Sequence, residues 1–139
     1  MVDKNFLAKA DKYEYEESSF PAGIYGFLGN HELEINELDI SNNSKGVFFI
    51  ADCTVVSSEN EHLREGQNVS CMIKLFEEKK FFNDIRSFLS KVTGEDPESL
   101  DSNLIADCLG DTLAGQTIGC TVTPPSGKAT NNRVTYRAI

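Results

Sequence analysis

Val47-Phe48-Phe49-Ile50-Ala51-Asp52-Cys53-Thr54-Val55-Val56 decides how this chain reads. Val47, Phe49, Ala51, Cys53 and Val55 fall on one wholly apolar alternation, and Phe48, Ile50, Asp52, Thr54 and Val56 on a mixed one. A period of two puts successive side chains on opposite faces of a strand, here one buried and one half-exposed.

Outward from that strand the same period recurs. A loop of turn residues, Ser41 to Gly46, precedes it. Before the loop, residues 23–38 alternate irregularly through Tyr25, Phe27, His31, Leu33 and Ile35, with Gly26 and Gly29 interrupting. Such a strand is expected to be bulged or coiled. After the acidic loop Ser57–Gly66, a third strand is predicted from Gln67 to Phe76, with Val69, Cys71, Ile73 and Leu75 inward. Phe81, Phe82, Ile85, Phe88, Leu89 and Val92 then recur at helical spacing, and Gly94 is the stop. Asp96-Pro97-Glu98 predicts a second helix, an N-cap followed by proline at the first position. Two further strands are expected, Gln116–Thr123 and Arg133–Arg137, joined by the loop Pro124–Asn132.

The order is β-β-β-α-α-β-β. A mainly β protein with a helical insert between its third and fourth strands has the arrangement of a partly open Greek-key barrel, the OB fold. Residues 1–22 read as an extended N-terminal arm, with Phe6 and Leu7 anchored in a short turn, and 23–139 as one barrel domain with its insert at about 79–109.

Composition sets limits on function. Hydrophobic content of 40% and charged content of 25% are those of a globular chain rather than a disordered one. No apolar run approaches the roughly 18 residues of a membrane span, so no membrane is expected. Met1-Val2-Asp3-Lys4-Asn5 does not open a secretory signal. Cys53, Cys71, Cys108 and Cys120 form no C-x-x-C pair, and three of them lie in strand patterns. Reduced, buried thiols in a cytoplasmic protein are expected rather than a zinc site or disulfides.

The net charge of −9 is uneven: residues 69–94 carry five basic and three acidic groups, whereas 23–68 carry two and eight. The average field therefore opposes nucleic acid, and any such binding needs the basic groups gathered on one face. Phosphate-loop, dinucleotide, serine-hydrolase and zinc-protease motifs are all absent, and the carboxylate group Glu32, Glu34, Glu37 and Asp39 matches no calcium loop. No enzyme, cofactor or metal is expected.

The outward strand positions say more. Phe48, Met72, Lys74, Phe76, Arg133 and Arg137 lie at alternating positions facing away from the core or bordering it, with Lys45 and Lys128 in flanking loops. Rings interleaved with cations on a sheet are what single-stranded nucleic acid requires: bases stack on the rings while Lys and Arg neutralise the backbone. Singly, each cation is an ordinary exposed strand residue, and Phe48 and Phe76 could pack under the arm or the helices. Only as a set do these residues point to a nucleic-acid surface.

The chain also resembles short phage-encoded OB-fold proteins described as single-stranded-DNA-binding. The likeness lies in Ala10–Phe20 followed by Pro21-Ala22-Gly23-Ile24-Tyr25, in Val69–Leu75, in Lys80-Phe81-Phe82 through Val92–Pro97, and in Leu113-Ala114-Gly115 with Asn131–Val134. It covers most of the chain through loose motifs, none of them catalytic. It implies a viral protein that coats single-stranded DNA in phage replication or recombination, in the host cytoplasm, with replication or recombination proteins as further partners. The ending Val134-Thr135-Tyr136-Arg137-Ala138-Ile139 departs from the acidic tail usual in replicative members, which leaves the acidic helix near Asp96–Leu109 as a recruiting surface. The exposed edges of an open barrel also admit a homo-oligomer. A different reading of the same charge is an acidic interaction module, or an inhibitor, that binds a host nucleic-acid-binding protein.

Overall fold

The computed structural model describes residues 4–15, 27–125, 127 and 133–139. Its strands are β1 (Gly29–Asn43), β2 (Gly46–Ser58), β3 (Asn68–Lys74), β4 (Thr117–Thr123) and β5 (Arg133–Arg137). Its helices are α1 (Lys4–Ala8), α2 (Glu78–Thr93) and α3 (Ser102–Cys108), with 3-10 turns at Lys9–Lys12 and Pro97–Ser99. The five strands form one antiparallel sheet in the order β3-β2-β1-β4-β5. The protein is thus mainly β with a helical insert after the third strand. No ladder joins β3 to β5 among the described residues, and the sheet is not closed into a barrel.

It is nonetheless strongly curled. In a flat five-stranded sheet the two edges stand about 19 Å apart, four spacings of about 4.8 Å. Here the Tyr136 hydroxyl of β5 hydrogen-bonds with the Cys71 thiol of β3 across the inner face. The ring of Phe88 on α2 meets both Phe49 of β2, at 5.4 Å between centroids, and Tyr136, at 5.0 Å. Helix α2 therefore lies in the concavity, burying Phe81, Phe82, Ile85, Phe88 and Leu89. Each such side chain contributes about 1.5–3 kcal/mol of burial. Gly94, in the left-handed region at φ 79°, ends the helix as its position in the sequence predicts.

Four differences from the sequence reading have physical causes. Strand β1 runs on to Asn43, because the expected loop is a tight hairpin in which Asn43 pairs with Gly46. Over its described residues the irregularity is two register shifts, at Glu32/Leu33 and Ile35/Glu37, neither of them at Gly29; residues 23–26, with Gly26, lie outside the described residues. At the second shift Asn36 is the extra residue, and its amide is held by the Thr54 hydroxyl at 2.9 Å. Asp96 does cap a turn, by accepting from the Glu98 N–H, but that turn is 3-10; α3 starts later, capped by Asp101. The segment expected to be an extended arm is helical over 4–12, and Leu7 and Ala10 are core residues. Residues 16–22 of that arm lie outside the described residues.

All four cysteines are free and buried. Burial pushes the Cys108, Cys120 and Tyr136 side chains up, and the Cys53 thiol is raised by its hydrogen bond to Cys71 together with burial. Cys53, Cys108 and Cys120 are therefore protonated packing groups in a dry core, whereas the same hydrogen bond with Cys53 holds the Cys71 thiol below its ordinary value. No described helix is long and apolar enough to cross a membrane.

The N-terminal segment is tied down partly by charge. The Asp11 carboxylate accepts from the Ser102 N–H at 2.8 Å and from the Ser102 hydroxyl at 2.6 Å, and these bonds hold it below its ordinary 3.8. A depressed carboxyl value gives stability that is present above the ordinary value and lost as pH falls through and below it. We expect amide exchange at residues 8–13 to accelerate below about pH 4. Asp11→Asn should exchange faster at neutral pH and show no acid step.

Candidate nucleic-acid interface

The antiparallel ladder of β2 and β3 places Phe48 opposite Lys74 and Ile50 opposite Met72, all on the outer face. They face outward because their neighbours Phe49, Ala51, Cys71 and Ile73 are buried in the core. Chain direction changes after Lys74, and Phe76 stands out into solvent, 86% exposed. The Lys74 Nζ lies 5.7 Å from the Phe48 ring centroid and 5.1 Å from that of Phe76, a cation shared between two rings. Met72, 40% exposed, extends the apolar surface along β3. Lys45 lies in the β1–β2 hairpin at the same end of the sheet, its side chain exposed.

Of the other three residues singled out from the sequence, Arg137 does not join this patch. Arg137 pairs with Gly119, which in turn faces Glu32 on β1. Glu32 pairs with Ser57, nine positions along β2 from Phe48, or about 30 Å. Between the two ends runs an acidic ridge: Glu32, Glu34, Glu37 and Asp39 on β1, with Asp52 opposite Glu37 on β2. Among the described residues no continuous basic stripe crosses the β2–β1–β4 face. Arg133 opens β5 opposite Thr123, but its side chain lies outside the described residues, as does Lys128.

At the Arg137 end the residues make a second, polar feature that periodicity alone did not flag. The Glu59 carboxylate accepts from the Asn30 amide at 2.9 Å and from the Asn30 backbone N–H at 3.3 Å, which hold it below the ordinary carboxylate range. Thr121 donates to Asn30 Oδ1 at 2.6 Å, and Arg137 Nη1 donates to Thr121 at 3.0 Å. His31, 1% exposed, bridges the Phe27 carbonyl at 2.7 Å and the Ser58 hydroxyl at 2.6 Å. With the proton on Nε2 donated to Phe27, Nδ1 accepts from Ser58, whose oxygen accepts the Asn60 N–H at 3.0 Å. The alternation His31, Leu33, Ile35 already pointed this imidazole inward; its partners, 4 and 27 residues away, carry no local pattern.

Among the described residues no three His, Cys, Asp or Glu side chains gather to hold a metal ion. No protein-family model matches this chain, and no relative is found among curated proteins.

Proposed function

We propose that the chain binds single-stranded DNA, tolerant of sequence, on the outer face of β2 and β3. The observation that carries this reading is the Lys74 ammonium between the rings of Phe48 and Phe76, with Phe76 almost wholly exposed. A phenylalanine left in water adds nothing to the core, whereas an open ring beside a cation suits a base and its phosphate. The strand order supports an OB architecture: β1 sits between β2 and β4, and the sheet opens between β3 and β5, as a five-stranded Greek-key barrel cut at one seam would. On this reading the chain serves phage DNA replication or recombination, the role that its resemblance to phage proteins implies.

The acidic ridge narrows the footprint. It repels phosphates from the middle of β1, so phosphate contacts keep to the β2–β3 side, where Lys45 and Lys74 are the described cations. Two phosphate contacts give a slope of about −1.4 in log affinity against log salt. Anisotropy of a labelled thymidine oligonucleotide of about 30 bases should then show binding that weakens about sevenfold between 50 and 200 mM salt, with the matching duplex bound far less. No binding at low salt overturns the reading.

The same ridge favours a second reading, a basic protein partner docked on Glu32, Glu34, Glu37, Asp39 and Asp52. Its sign is the reverse: a cationic protein bound at low salt and released by charge reversal on β1, with no dependence on Phe76.

A further inference from the structure

We infer that the polar pocket at the Arg137 end of the sheet is a binding site for an unpaired guanine base. The inference rests on the single-strand reading for its biological source, but the pocket's chemistry stands separately. Its volume is about 490 Å³, room for a base with its sugar, and Asn30, His31, Glu32, Ser57, Glu59 and Arg137 are among its lining residues.

The pocket is built around Arg137. A Cβ at Gly119 would lie 2.5 Å from Arg137 Cγ, 2.8 Å from Nε and 2.7 Å from Cζ. The arginine therefore lies flat across β4 in the gap that the missing side chain leaves, directed along the row Arg137–Gly119–Glu32. One of its five N–H donors goes to Thr121. Among the described residues nothing hydrogen-bonds or ion-pairs with the Glu32 carboxylate. Glu59 and His31 are already engaged, by Asn30 and by Ser58 with Phe27, and they brace the wall.

The charge balance decides the ligand class. Two carboxylates against one guanidinium repel a phosphate, so this is not an anion site. A neutral ligand with adjacent donor and acceptor edges fits instead. Guanine presents O6 and N7 as acceptors to a guanidinium fork, and beside them two N–H donors on its Watson–Crick edge for a carboxylate. Thymine lacks the paired donors, and adenine lacks the O6 acceptor beside N7. The exposed plane of the guanidinium also offers a stacking face to a neighbouring base.

The test compares thymidine strands of about 15 nucleotides with the same strands carrying one guanine, or one adenine, at an early, central or late position. Anisotropy should show about tenfold tighter binding for guanine in at least one position, and no gain for adenine. Gly119→Ala, which lifts Arg137 from its seat, should erase that gain and leave the all-thymidine strand unaffected; Glu32→Gln should bring the ratio of guanine-strand to thymidine-strand affinity down to about one, while both strands bind more tightly for the ridge charge removed. Independently, guanosine, which is neutral, added to the ¹⁵N-labelled protein should shift the Asn30, Ser58 and Arg137 signals, and adenosine should not. Phe76-dependent binding of thymidine strands, with no guanine gain and no guanosine shifts, overturns the guanine site and leaves the DNA reading standing. Shifts with guanosine but no strand binding keep the site and overturn the DNA reading. Neither response overturns both.

Discussion

Arg86→Ala is expected to lower folding stability by about 3–5 kcal/mol. Arg86 sits on α2, 5% exposed, and donates through Nε to the Leu100 carbonyl, through Nη1 to the Tyr13 carbonyl and through Nη2 to the Ala10 carbonyl, each at 2.9 Å. One guanidinium thus ties α2 to two segments distant in sequence, residues 10–13 and the turn ending at Leu100. Removing it strands carbonyls that water reaches poorly, at about 1–3 kcal/mol for each one left unsatisfied. Burial pulls the Arg86 value down, while the carboxylates of Asp11 and Asp101 oppose that shift. Arg86→Lys should recover only a small part, since one ammonium cannot span the fork. Urea denaturation measures the loss, and tryptic cleavage after Lys9 or Lys12 should speed up in parallel. A variant with wild-type midpoint and wild-type proteolysis would show that the N-terminal segment is held without the clamp, by the Asp11–Ser102 bonds and by Phe6 against Phe81 and Phe82.

That clamp marks the boundary of what the sequence could disclose. Strand β2 was legible because its alternation is unbroken over Val47–Val55, and α2 because five large apolar residues share one helical face. Strand β5, only five residues long, was legible because turn residues precede it. Arg86 was not, since an arginine among Lys80, Asp84 and Lys91 reads as solvated surface, and its three acceptors are carbonyls, which every residue has. The register of β1 was half-legible: a bulge was expected, but at the glycines. The structure places it at Asn36, where the chain switches from pairing with β4 to bonding with the 110–116 segment, through Ile35 N–H to the Gln116 carbonyl and Leu38 N–H to the Gly110 carbonyl. Of the candidate site, the outward direction of Phe48, Met72 and Lys74 follows from period two. Their convergence depends on the β2–β3 register, which a loop of uncertain pairing between them conceals. The separation of Arg137 from Lys74 is also a register property, and with it the acidic ridge that divides the outer face. Gly119 had a local signal, a lone glycine inside an alternating strand, and the close approach it permits is made by Arg137.

Phe76→Ala is expected to weaken single-stranded DNA binding by about 1–3 kcal/mol, or roughly 5- to 150-fold, without moving the unfolding midpoint. The two halves of that expectation have separate origins. At 86% exposure the ring has almost no core contact to lose, so stability should stay within about 0.5 kcal/mol of wild type. The ring's one described interaction is with the Lys74 ammonium, and that pairing is what a stacking base would share. Phe48→Ala should weaken binding too, but with some loss of stability, since Phe48 is half-buried and packs beside the same lysine. Lys74→Met keeps the length of the side chain and removes the charge. It should reduce the salt slope by about 0.7, one phosphate's worth, while the stacking contribution of Phe76 survives in part. The double variant Phe76→Ala with Lys74→Met then separates the roles: coupling in the cycle is expected, because the cation and the ring hold the same nucleotide. Strictly additive losses would mean that ring and lysine meet different parts of the strand. No loss in either single variant, with the oligonucleotide still bound, would move the binding surface away from β3 altogether.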